Sequence, residues 1–220
     1  MNAAKNSANI LLITGKPGTG KTTLISRVFE LLSQRTDVSS NGFITEEVRE
    51  NHRRIGFDIV LLGSATSVAR RAPLARCVGY GVNSRGPRVG QYVVDLPSFE
   101  GLAIPCIQSV LNGVGNQRPE GDRKKLTVCI IDEIGKMELS SSNFTKHIQQ
   151  LINKVSSSGC LNTVLLATVP SSRRPDGLRG IRLVDDLCSR PDVSLFEVSF
   201  SNRDSLVKQV YDATIGHMAH

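Results

Sequence analysis

The sequence predicts an α/β fold in three layers around a mainly parallel sheet. Runs of aliphatic residues typical of buried strands recur along the chain, and amphipathic helical stretches separate them. No internal repeat is visible at a period of roughly 20 to 50 residues, which sets repeat architectures aside. The 220 residues suit one domain, 1–220, with a single sizeable core.

The elements follow in order. Asn9 to Thr14 is a run of aliphatics closed by Thr and Gly, as expected of a fully buried parallel strand. After a glycine-rich turn, Leu24, Val28, Leu31 and Leu32 fall at i, i+4, i+7 and i+8, one stripe of a helix reaching about Gln34. Ser39, Ser40, Asn41 and Gly42 punctuate the chain. Phe43 to Val48 and Ile55 to Leu62 read as strands, and the polar stretch Arg49 to Arg54 between them favours an antiparallel hairpin. This hairpin and a strand at Gln91 to Leu96 form an insertion over about 42–96, with mobile loops at about 63–88 and 113–125. Pro97 suits the first turn of a helix towards Leu111, which Pro105 should kink or divide. Leu126 to Ile131 and Val164 to Val169 are further core strands. Asn143 to Val155 is helical in period, Gly177 to Cys188 is expected to be helical, Leu195 to Phe200 is a short strand, and Ser201 to Ile215 closes the chain as a helix.

Composition narrows the function classes. With 40% hydrophobic and 21% charged residues, a wholly disordered chain is excluded. No apolar run approaches the roughly 18 residues of a membrane span, so no membrane partner is expected. A net charge of +7 suits phosphate-bearing partners. The basic doublets are scattered, without interleaved aromatics; with no Trp and three Tyr, neither a base-stacking platform nor nucleic-acid binding is expected. The five cysteines (Cys77, Cys106, Cys129, Cys160, Cys188) lack metal or redox spacing, and Met1 to Asn9 has no apolar leader core; both point to the reducing cytosol. The four histidines share no metal-ligand spacing.

Gly15-Lys16-Pro17-Gly18-Thr19-Gly20-Lys21-Thr22 fits G-x-x-x-x-G-K-[ST] and sits between a buried strand and a helix, where that pattern works. Backbone N–H groups of such a loop turn inward to phosphates, and the helix N-terminus adds unpaired donors and its positive dipole end. Lys21 is expected at the β- and γ-phosphates, the Thr22 hydroxyl on Mg²⁺, and Thr23 at the α-phosphate. Asp132 and Glu133 end the second core strand, the Asp suited to Mg²⁺ and the Glu to polarising a water for in-line attack. Asp132-Glu133-Ile134-Gly135 also has the D-x-x-G spacing of signalling GTPases. Lys136 follows where a water-orienting Gln would stand, and N-K-x-D is absent, Asn153-Lys154-Val155-Ser156 lacking the Asp. A GTPase switch is therefore disfavoured.

GKPGTGKTTLI, GFITEEVRE with RRIGFDIV, RVGQYVVDLPSF, VCIIDEIGKMEL, ATVP and the Asn202-Arg203 pair occur in this order from about Ile10 to Leu206. Together they resemble the small P-loop enzymes called cancer-related nucleoside-triphosphatase. The resemblance implies a RecA-like P-loop NTPase fold with an added antiparallel hairpin, and Mg²⁺-dependent hydrolysis of ATP, GTP, CTP and UTP to the diphosphate and phosphate. It assigns Gly15 to Thr22 to the phosphates, Asp132 with Thr22 to the metal, and Glu133 to the catalytic base beside Lys21. Ile134, Gly135 and Lys136 join the nucleotide side. The segments Leu62 to Arg88 and Gly113 to Lys125 depart from the family; a monomer is favoured.

Several roles stay open at this point. Asn202 and Arg203 are either a base-proximal pair or a helix cap with a solvated arginine. Glu46-Glu47, Lys136 and Glu138 serve either the site or ion pairs, and Arg88 is either a charge neutraliser or solvated. A nucleotide or small-molecule kinase, with Arg173, Arg174 and Arg179 as an imitation lid, and a slowly hydrolysing nucleotide-gated interaction module are the competing functions.

Overall fold

Side chains alternate across nearly every central strand, and both faces of the sheet are buried. The computed structural model describes residues 9–63, 70–81, 85–113, 125–157, 162–172 and 177–216. The chain runs β1 (Ile10–Gly15), α1 (Lys21–Ser33), β2 (Val38–Glu50), β3 (Arg53–Leu62), β4 (Arg71–Cys77), β5 (Arg88–Val89), β6 (Tyr92–Val94) and α2 (Leu96–Gly113). It continues with β7 (Leu126–Ile131), a 3₁₀ turn at Glu138–Ser140, α3 (Ser142–Val155), β8 (Thr163–Thr168), α4 (Arg182–Cys188), β9 (Val193–Val198) and α5 (Arg203–Ile215).

One nine-stranded sheet has the order β5-β6-β4-β3-β2-β7-β8-β1-β9. Its half from β2 to β9 is parallel, and its half from β2 to β5 is antiparallel. Ile10 and Leu12 of β1 face α2, α3 and α4, around the ring cluster Phe43, Phe99 and Phe144. Leu11 and Ile13 face α1 and α5. The expected three-layer α/β architecture is therefore present. Among the described residues no helix is long and apolar enough to cross a membrane.

Four sequence expectations need correction. Ser39 to Gly42 do not interrupt the chain: β2 starts at Val38 and pairs in parallel with β7 from Val38↔Leu126 to Phe43↔Ile131. The antiparallel hairpin therefore grows out of a strand of the parallel core, since β2 pairs with β7 over its first half and with β3 from Gly42 to Glu50; pairing overrides the weak strand propensity of Ser, Asn and Gly. Second, part of the loop expected at about 63–88 is β4, paired to β3 and β6. Third, α2 runs as one helix past Pro105 and is not divided there. Its start is fixed by Asp95, whose carboxylate accepts the Ser98 N–H at 3.2 Å and the Ser98 hydroxyl at 2.9 Å. Fourth, Gly177 to Ile181 precedes α4 rather than belonging to it.

The β2–β3 turn is only Asn51 and His52, at φ 47° and 62°, the backbone of a two-residue hairpin. The acidic pair on β2 is engaged in ion pairs: Glu46 with Arg71 at 2.8 Å, and Glu47 with Arg49 and Arg54 at 2.6 Å each. Cys77, Cys106, Cys129 and Cys188 are free thiols. Cys160, residues 1–8 and the greater part of the loop expected at about 113–125 lie outside the described residues.

Candidate active site

The glycine-rich turn links β1 to α1, and Gly20 at φ 100° makes the last step into the helix. No side chain caps α1 and its first turn holds no acid, so its leading N–H groups face the loop without a competing anion. Lys16, Pro17 and Gly18 form the exposed tip. Buried Thr19 braces them from below, its hydroxyl donating to the Lys16 carbonyl at 2.8 Å. Lys21 donates from Nζ to the Gly15 carbonyl at 3.1 Å and lies 3.7 Å from Glu133 Oε2. Thr22 is half-buried and Thr23 exposed on the first turn of α1.

Asp132 lies just beyond β7, and β8 separates β7 from β1 in the sheet. Its carboxylate is 2% exposed and is held from both sides. Thr168, at the end of β8, donates its hydroxyl to Oδ1, and Thr45 of β2 donates its hydroxyl to Oδ2 at 3.3 Å. The buried Ile134 is fixed through its N–H, which donates to the Thr168 carbonyl at 2.9 Å. Neither threonine stands out in the sequence. Thr168 could have been found as the polar end of a core strand, whereas Thr45 carries no local signal.

Gly135 lets two carboxyl groups converge. A Cβ there would stand 2.6 Å from Glu133 Oε1 and 3.1 Å from Glu138 Oε2. Glu138 is 4% exposed and accepts the Gly135 N–H at 3.1 Å. Burial first, then the charges of Glu133 and Asp132, push its carboxyl up to about 8. It is thus a neutral acid at pH 7, packed behind the more exposed Glu133. Lys136 is exposed.

The β9–α5 turn meets the P-loop from the other side. Arg203 Cδ is 3.6 Å from the position of a Cβ on Gly20. Between them opens a cleft of about 150 Å³, lined by Gly20, Thr23, Leu24, Arg27, Arg203 and Asp204. Asn202 is spent on the turn: its Oδ1 accepts the Ser199 N–H at 2.8 Å, and its Nδ2 donates to the Glu197 carbonyl at 2.9 Å. It stands at the N-cap of α5 but makes no side-chain cap bond. Phe200 at the tip is 71% exposed, and sequence reasoning passed it over.

Other residues are not gathered here. Arg88 is on edge strand β5, with six strands between it and β1. Arg179 is 8% exposed and fastened to the loop after β8, donating to the Pro170 carbonyl at 2.8 Å. That withdraws one arginine from an imitation kinase lid; Arg173 and Arg174 lie outside the described residues. His147 is half-buried on α3 and bonded to Gln108 and the Asn143 carbonyl.

Among the described residues, no three His, Cys, Asp or Glu side chains gather to hold a metal by themselves. A Mg²⁺ ion does not require that, since it takes one or two carboxylates and fills its shell with phosphate oxygens and water. The hard oxygens of Thr22 and Asp132 fit such an ion.

A family model described as NTPase matches residues 10–211. The chain is 42% identical to the human cancer-related nucleoside-triphosphatase, over 92% of this chain and 95% of that one. It is 34% identical to nucleoside-triphosphatase THEP1 of Thermotoga petrophila, over 91% and 89% of the two chains. The crystal structure of THEP1 from Aquifex aeolicus superposes with a TM-score of 0.69 at 32% identity, covering 91% of this chain and 96% of that one. The solution structure of the human protein gives 0.66 at 40% identity, covering 91% and 94%.

Proposed function

The chain belongs to the NTPase family, and from that premise we propose that it hydrolyses ATP, GTP, CTP and UTP to the diphosphate and phosphate, with Mg²⁺ as cofactor. The observation that carries this reading is the approach of Lys21 Nζ to Glu133 Oε2, 3.7 Å apart at the mouth of the P-loop. A phosphate-binding cation and a base for water thus face one space.

In this reading the backbone N–H groups of Lys16, Gly18, Gly20, Lys21 and Thr22 bind the β-phosphate, Pro17 having none to give, and Thr23 donates to the α-phosphate. Lys21 exchanges the Gly15 carbonyl for β- and γ-phosphate oxygens. Thr22 and Asp132 hold Mg²⁺, which when bound neutralises phosphate charge. Thr45 and Thr168 keep the Asp132 carboxylate oriented. Glu133, released from Lys21 by the incoming phosphate, accepts a proton from the attacking water. Ile134 and Gly135 fix the turn that carries it, and Lys136 stands at the solvent side. Arg203 lies towards the base, while Asn202 shapes its turn. The proposed working state is a monomer.

With the Asn202 amide engaged by backbone, no oriented pair in the described cleft reads a base edge, and discrimination is expected to be weak. Acceptor-free phosphate release with Mg²⁺ should give kcat/KM values for the four triphosphates within about two orders of magnitude. A preference above about 10⁴-fold for one base contradicts this.

A further inference from the structure

Phe200 is the most exposed of the large apolar side chains among the described residues, at 71%. A single exposed apolar residue needs no explanation by itself. Its setting supplies one. The turn that carries it is not loose, because the Asn202 amide ties Ser199 and Glu197 together across its base, holding Phe200 out at the tip. The Arg203 guanidinium lies 6.0 Å from the Phe200 ring centroid, so ring and cation already form a loose pair. The same arginine lines the cleft that begins at Gly20 and Thr23, on the first turn of α1. Across it, Arg27 and Asp204 are paired at 2.7 Å.

With an α-phosphate at Thr23, this cleft is the space next to it, and Arg203, which lines the cleft, is also the residue beside the exposed Phe200 ring. We propose that Phe200 is the stacking platform for the nucleobase, with Arg203 on the opposite face of the base. This rests on the reading of the P-loop as the phosphate site. Two van der Waals layers of about 3.5 Å need roughly 7 Å between ring and guanidinium, so the long arginine side chain moves out by about an ångström on binding. Stacking accepts purines and pyrimidines alike because every base has a π-face. The platform therefore gives affinity for the nucleoside without selecting among bases.

The test is titration calorimetry of wild type, Phe200→Ala, Phe200→Tyr and Lys21→Ala with ADP, CDP and inorganic tripolyphosphate, which has phosphates but no base. Phe200→Ala should weaken ADP and CDP about tenfold and leave tripolyphosphate unchanged, while Phe200→Tyr stays within about twofold of wild type. Unchanged ADP and CDP affinities in Phe200→Ala overturn the platform and leave the phosphate site standing. So does an equal loss for tripolyphosphate, since the ring would then act on the loop and not on a base. If Lys21→Ala binds tripolyphosphate as wild type does, the phosphate reading fails and takes the platform with it.

Discussion

Glu133 keeps 30% of its side chain exposed while its neighbour Asp132 is buried, and that difference suits the separate roles proposed for them. A water can reach Glu133, whereas the buried Asp132 carboxylate is held in orientation by two threonine hydroxyls. Replacing Glu133 by Gln should leave nucleotide binding nearly intact and lower kcat by about 10² or more. If affinity collapses while the rate at saturation survives, Glu133 is a binding residue and the base lies elsewhere. Glu138 makes a second prediction at this scale. Its carboxyl is raised from 4.5 to about 8, so the folded chain holds this proton more tightly than the unfolded one. The resulting stability is fully present below about pH 4.5 and is lost as pH rises through about 8. Glu138→Gln keeps an oxygen for the Gly135 N–H and has no proton to lose. Urea unfolding without metal should show wild type falling relative to Glu138→Gln between about pH 5 and pH 9. Parallel stability curves would show that burial does not raise this carboxyl.

Elements were legible where one physical signal dominates. β1, β7 and β8 are buried on both faces and therefore read as continuous aliphatic runs. α3 shows its stripe because Phe144, Ile148, Leu151, Ile152 and Val155 all meet the core. β4 was hidden for a definite reason: Pro73 argues against a strand. In the fold Pro73 pairs opposite Asp58 beside a register shift, on the part of β4 that β6 does not reach, so its missing N–H breaks no central ladder. The first half of β2 was hidden because Ser39, Ser40 and Asn41 are only half-buried and are held by β7. The P-loop pattern was readable from spacing alone, since it is local. Thr45 and Thr168 were not, because each meets Asp132 only through the order of the strands.

Across the molecule, that order explains why one site forms. The P-loop leaves β1, Asp132 leaves β7, and only β8 lies between them, so the two strand ends stand roughly 10 Å apart. Phosphates and a metal can fill that gap. The antiparallel half meets the site through Thr45, and the β9–α5 turn meets it from the opposite edge. The central claim is that this gap hydrolyses a triphosphate without an acceptor. Phosphate release from ATP with Mg²⁺, in wild type and in folded Lys21→Ala, tests it most directly. The account predicts release by wild type with no acceptor added, and loss of most turnover and triphosphate affinity in Lys21→Ala. Equal kinetics in the two proteins, or release only when a phosphate acceptor is supplied, would contradict it.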